Sequence, residues 1–443
     1  MSAEVSLRDI TTGVPFFYSN YEDARDNAND YDVISIYANL DEQIVLKNLV
    51  DVYIDPGTVV DFSGKGPTIT DNGEQCKCNI TGGGIITNTY SDTDKEECIE
   101  ISNSASEVNI ECFRIKNEGD DSSDTGGAAV NIISAARFSL ICNSIFSKYN
   151  TAIEISDCDD FFINIVSVES GLSMEPNTGA PVILVEAAGS MYINRLTCTG
   201  YGSCFVHKDG TVAATINKIL TLFPDSETPS TASPTVLIHD GTGDQDLVMY
   251  FDEIKNLNLT EGDAVKITEG KASLIGRSIN CTQGKSLDLI ENIISAFIQC
   301  DEIISLTEGI NIANSDEPIV IEANYIEGNI GNDGVVRSDG GSNYVLRNAK
   351  IKCTDETENS VCIYLPDGSI NDQTIEIENL ILVTGELEDG DTIRRIGDNE
   401  ISIKNLNLFV NKAIDEEKIK LKIGVGLEDP EYNFKYIVDN SIA

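Results

Sequence analysis

Apolar and polar residues alternate in short bursts along most of this chain, and the bursts recur. From Ala152 the run Ala-Ile-Glu-Ile puts Ile153 and Ile155 on one side and Glu154 on the other, which only a two-residue period does. Comparable openings stand near residues 98, 129, 152, 182, 204, 236, 264, 287, 310, 335, 362 and 392, a spacing of about 27 residues. Each unit crosses a turn rich in Gly, Asn, Asp and Ser and resumes as Ile-x-Ile or Leu-x-Ile. CIEISNSASEVNIECFRI from Cys98 and AVKITEGKASLIGRSINC from Ala264 are two such units. The apolar spacings of three and four that paired helices require are absent, whereas three short strands and their turns fit each interval.

This pattern predicts an all-β solenoid: a right-handed, single-stranded parallel β-helix with coils stacked about 4.8 Å apart around an apolar interior. The coils are expected over residues 33–411. Residues 1–32 read as an arm followed by a capping helix. Ser19 and Glu22 have the spacing of a capping box, and Tyr21, Ala24, Arg25 and Ala28 share one face of a helix ending near Asn29. An open coil end exposes core and unpaired backbone, so this helix is the expected lid. Residues 412–443 break the pattern and read as a C-terminal cap or assembly segment, with Leu421, Ile423, Val425, Phe434 and Tyr436 as interface candidates.

Charge narrows the partners. The chain carries 74 acidic and 30 basic residues, a formal net charge of −44. That balance excludes a phosphate backbone, which needs clustered cations, and leaves protein partners, self-assembly or divalent ions. No apolar run is long enough to insert into a membrane, and the N-terminus lacks the pattern of a secretory leader. The expected location is a virion, or the host cytoplasm during its assembly. The twelve cysteines are too sparse for a disulfide scaffold. Cys98, Cys204 and Cys362 open their units, and Cys112, Cys142, Cys198, Cys281 and Cys353 fall in later strands, so two inward ladders of free thiols are expected. No cofactor is called for. Asp240, Asp244 and Asp246 could gather oxygens around calcium, although their loop lacks the spacing of an EF-hand.

The run from Tyr21 to Ile36, followed by Val52-Tyr-Ile-Asp-Pro-Gly-Thr-Val-Val-Asp-Phe62, resembles the opening of pectin-lyase-like β-helix proteins, among them phage tailspikes and other viral surface proteins. The resemblance implies the same coil architecture, which serves both inert shafts and carbohydrate-active enzymes. The enzymes hold calcium with carboxylates beside an Arg or Lys, or combine clustered aspartates with Gly-His-Gly and Arg-Ile-Lys. Here Asp159-Asp160 and Arg114-Ile-Lys116 are the nearest equivalents, Gly-His-Gly is missing, and His207 and His239 fall in different coils. Asp159 and Asp160 are therefore the catalytic candidates, and a surface turn is their ordinary reading. The expected function is structural or attachment, without catalysis. The alternative is a polysaccharide lyase or glycoside hydrolase with a carboxylate site on a coil face.

Overall fold

The computed structural model describes residues 4–90, 96–118, 127–148, 150–170, 181–199, 202–222, 235–241, 245–257, 262–290, 292–313, 315–329, 334–338, 342–354, 362–365, 374–378, 381–384, 393–395, 400–404, 407–410 and 435–438. The chain divides into two compact units, 1–232 and 233–443. Each is a right-handed parallel β-solenoid in which coils contribute to a narrow and a broad sheet.

In the first unit the narrow sheet stacks Ile99, Val130, Ile153, Ile183 and Phe205 in register. In the second it stacks Leu237, Val265, Leu287, Ile310, Val336, Ile363 and Ile393. The repeat openings read from the sequence are thus structural equivalents, since a period-two run can face the core in only one register.

The broad sheet refines the three-strand reading. Through most coils the second and third strands are one long strand, such as Glu107–Asn117, Arg137–Ser147, Phe161–Ser170, Gly189–Cys198 and Val212–Thr221. Within each, alternation slips by one residue. Cys112 is buried, Phe113 and Arg114 are both exposed, and Ile115 is buried again. The ladder skips Phe113 and Asn143, joining Cys112 to Cys142 and then Arg114 to Ser144. The extra outward residue bends the strand without a loop, as a bulge does. Farther along, Ser342–Arg347 and Lys350–Cys353 are separate strands, with Asn348 between them at φ +59°.

Two rows of side chains explain the interior. Ile80, Ile110, Leu140, Ile163, Met191 and Ala214 stack as apolar residues at one register position, all buried. At the strand ends the row turns polar: Asn88, Asn117, Ser147, Ser170, Cys198 and Thr221, all buried. Asn256, Cys281 and Ser305 form the corresponding row in the second unit. These groups satisfy the turning backbone. Asn117 Nδ2 donates to Glu96 O and Gly127 O, Asn256 Nδ2 to Gly262 O and Asp263 O, and Ser305 Oγ to Gly284 O. A coil corner inside the barrel would otherwise strand carbonyls away from water.

All twelve cysteines are free and buried. Cys112 and Cys142 are register partners with sulfurs 3.7 Å apart. Cys198 and Cys281 instead belong to the polar rows at the strand ends. The single later-strand ladder expected from sequence is therefore two, because the one-residue slip separates positions that look alike in the linear pattern.

The N-terminal end differs by one residue from its expected cap. Asn20, not Ser19, is the N-cap: its Oδ1 accepts from Asp23 N at 2.7 Å, and the helix runs Tyr21–Asn27. Asn20 takes the role because its amide also donates to Asp23 Oδ2. Tyr21, Ala24 and Ala28 are buried, Tyr21 Oη donates to Val45 O, and Lys47 Nζ donates to Arg25 O and Ala28 O. The arm is a hairpin, Val5–Arg8 with Pro15–Tyr18, laid antiparallel on the first coil strand Val33–Ile36. Gly82-Gly83-Gly84 is a close backbone approach: a Cβ on Gly82, at φ +114°, would stand 2.0 Å from Ile54 O.

Candidate functional site

The catalytic and calcium candidates are dispersed. Asp159 and Asp160 sit in an exposed bend between Ile153–Cys158 and Phe161–Ser170. Asp160 Oδ2 lies 3.6 Å from Arg137 Nε, at the end of an outward row in which Lys77, Glu107 and Arg137 alternate in sign. The fold brings Asp160 to a cation there. Asp240 is exposed and accepts from Thr268 Oγ1. Asp246 begins Asp246–Asn256 with Lys271 as its register partner, and Asp244 lies outside the described residues. Among the described residues no three His, Cys, Asp or Glu side chains gather as a metal site.

Of the interface candidates, Leu421, Ile423, Val425 and Phe434 lie outside the described residues. Tyr436 is in Lys435–Val438, which extends the broad sheet by pairing in parallel with Asn407–Val410.

Both histidines are buried on the inward side of the narrow sheets, His207 at the register position of Val185 and His239 at that of Ile267. His207 Nε2 lies 3.0 Å from Gly210 O, and burial holds its pKa below the ordinary imidazole value. These are corner-filling side chains beside Gly210 and Gly241.

What the structure does assemble is a pair of outward faces. On the broad sheet of the first unit, Phe113 (46% exposed), Ile141 (42%), Val166 (52%) and Tyr192 (52%) point to solvent. Phe162 joins them, its ring centroid 6.3 Å from that of Tyr192. A neighbouring row runs Arg114, Ser144, Ser167, Arg195, Lys218. In the second unit an outward row runs Val248, Ser273, Phe297, Val320 and Val345, all half-buried. Ser273 leaves a groove of about 380 Å³ between Val248 and Phe297, rimmed by Asp246 and Lys271.

Three carboxylates on this second face are matched with cations one coil away. Arg277 Nε lies 2.6 Å from Asp252 Oδ1, Arg347 Nη1 3.6 Å from Glu322 Oε1, and Lys352 Nζ 3.7 Å from Glu327 Oε2. A smaller polar depression of about 240 Å³ lies over Gly276 and Ala323, with Gln299, Asp301, Glu322 and Asn324 on its walls. Asn324 Nδ2 donates to Asp301 Oδ1 at 2.9 Å. Sequence reading located neither face, because these residues occupy the outward half of each repeat, where single-chain periodicity carries no register. No family model, curated protein or solved structure matches this chain; what is shown is its architecture, a right-handed parallel β-solenoid.

Proposed function

We propose that this protein is a structural or attachment component without catalytic activity, acting through the outward faces of its broad sheets as part of a virion or another extracellular assembly. The observation that carries this reading is the combination on the second unit's face. Ion pairs hold Asp252, Glu322 and Glu327 on the strands that also carry the half-buried row Val248–Phe297–Val320–Val345. Catalysis would need a carboxylate poised at a reacting atom with a matched partner. Carboxylates spent on neighbouring cations, next to apolar surface, suit burial against a partner instead.

The polysaccharide-cleaving alternative has one observation in its favour, the depression containing Asp301 and Glu322. A direct assay separates the readings: purified full-length protein is incubated with neutral and acidic polysaccharides, and new reducing or unsaturated ends are measured. No turnover is expected. Product formation that falls at least about 100-fold in Asp301→Asn or Glu322→Gln, as removal of a catalytic acid or base produces, would establish the enzyme.

A further inference from the structure

The broad face of the first unit is anomalous for so acidic a chain. Beyond the alternating row of Lys77, Glu107, Arg137 and Asp160, the only acids at outward positions from Glu107–Asn117 to Val212–Thr221 are Glu111 and Glu169. Arg195 and Lys218 are register partners on adjacent strands, both exposed, and neither has a carboxylate partner among the described residues. Arg195 Nε donates only to Thr197 Oγ1, and Arg114 Nε to Ser144 Oγ. Like charges directly opposite in a sheet destabilise it. Exposed aromatics and arginines with few acids are also the composition of interface centres.

The end of the same unit has the complementary surface. The hairpin and helix expose Ile10 (62%), Phe16 (50%), Phe17 (65%) and Tyr31 (64%). Glu22, Asp23, Asp26 and Asp30 are exposed beside them, and the one helix cation, Arg25, pairs with Glu22 and Asp26 and leaves the cap net acidic. Pro15–Tyr18 pairs only with Val5–Arg8 among the described residues, so its other edge is open.

We infer that the face bearing Tyr192, Val166, Arg195 and Lys218 binds the acidic, aromatic N-terminal cap of a second copy of this chain. The contact is heterologous, so each copy offers one face and one cap, and association propagates. Five strands at about 4.8 Å give a footprint about 20 Å across, at the small end of specific interfaces. Charge therefore decides its strength, and salt weakens it. The inference rests on the non-catalytic assembly reading and specifies its surface.

Sedimentation velocity of the full-length protein at low and high salt tests it with two variants. One is Arg195→Glu with Lys218→Glu on the face; the other is Glu22→Lys with Asp26→Lys on the cap. Circular dichroism and melting check that each is folded, and Phe17→Ser replaces the cap variant if that one is not. The wild type is expected to form concentration-dependent oligomers at low salt that dissociate at high salt. Each variant alone should associate at least about 10-fold more weakly, as loss of a close charge pair implies. An equimolar mixture of the face variant with Phe17→Ser should stop at one-to-one dimers, because only one intact face and one intact cap remain. With the Glu22→Lys, Asp26→Lys variant the reversed face and cap are again opposite in charge, so longer oligomers should return. A wild type that stays monomeric at low salt, a face variant that assembles like the wild type, or a Phe17→Ser mixture without dimers overturns the contact. A monomeric wild type leaves the non-catalytic reading standing, since only turnover in the polysaccharide assay removes that.

Discussion

Asn256 illustrates how single buried groups hold a coil corner. Its amide serves Gly262 O and Asp263 O at once, and the residue is fully buried. Asn256→Ala should cost about 2 kcal/mol in chemical denaturation, since it removes two buried hydrogen bonds and leaves Gly262 O to Cys281 Sγ and Asp263 O to Val236 N. Glu97 gives a pH-dependent counterpart. Burial first, and then the charges of Glu100 and Glu96, push its carboxyl up to about 7, while Asn131 Nδ2 lies 3.4 Å from Oε1. A raised carboxyl means that the folded chain binds this proton before the unfolded chain does. The ionised group therefore costs stability above pH 7, and that stability is recovered as pH falls toward the ordinary carboxyl value. Glu97→Gln should raise the melting temperature at pH 8, with the gain fading as pH falls through about 7. The thiols are a third case: burial pushes Cys158 to about 11 and Cys281 and Cys300 to about 12. A thiol reagent at pH 8 should leave these three unmodified in the native chain and titrate all twelve cysteines after denaturation.

Among the elements, the N-terminal helix has the clearest energetic role. Seven residues are too few to be stable alone. Tyr21 and Ala24 are buried against the first coil, and Lys47 bonds the last helical carbonyls. Tyr21→Ala should therefore cost about 3–5 kcal/mol, and Asn20→Ala about 1 kcal/mol through the lost cap. Urea unfolding of both variants checks the ordering, which fails if the cap substitution is the more damaging. In the long strands, the paired outward residues at the slip are what free Phe113, Val166 and the charged row beside them for solvent. Perfect alternation would bury one member of each pair.

For the whole molecule, charge sets the behaviour. At −44 the chain repels itself, and the mixed-sign rows relieve that repulsion only locally. Added monovalent salt should raise the melting temperature by screening intramolecular repulsion. It should also dissolve the inferred contact between copies, which depends on attraction. Opposite responses of stability and association to one variable would separate the two effects in a single salt series.

The sequence determined the coil class, the repeat openings, the inward aliphatic rows and the presence of a helical lid. All of these follow from a two-residue period, which records which side of a strand must avoid water. Tertiary structure alone decided which residues became neighbours across coils. Arg195 and Lys218 are separated by a whole repeat, as are Cys112 and Cys142, and only coil length and the one-residue slip bring each pair into register. The outward faces escaped the linear reading for that reason: solvent tolerates nearly any side chain, so the pattern that fixes the core leaves the surface uncoded until the coils are stacked.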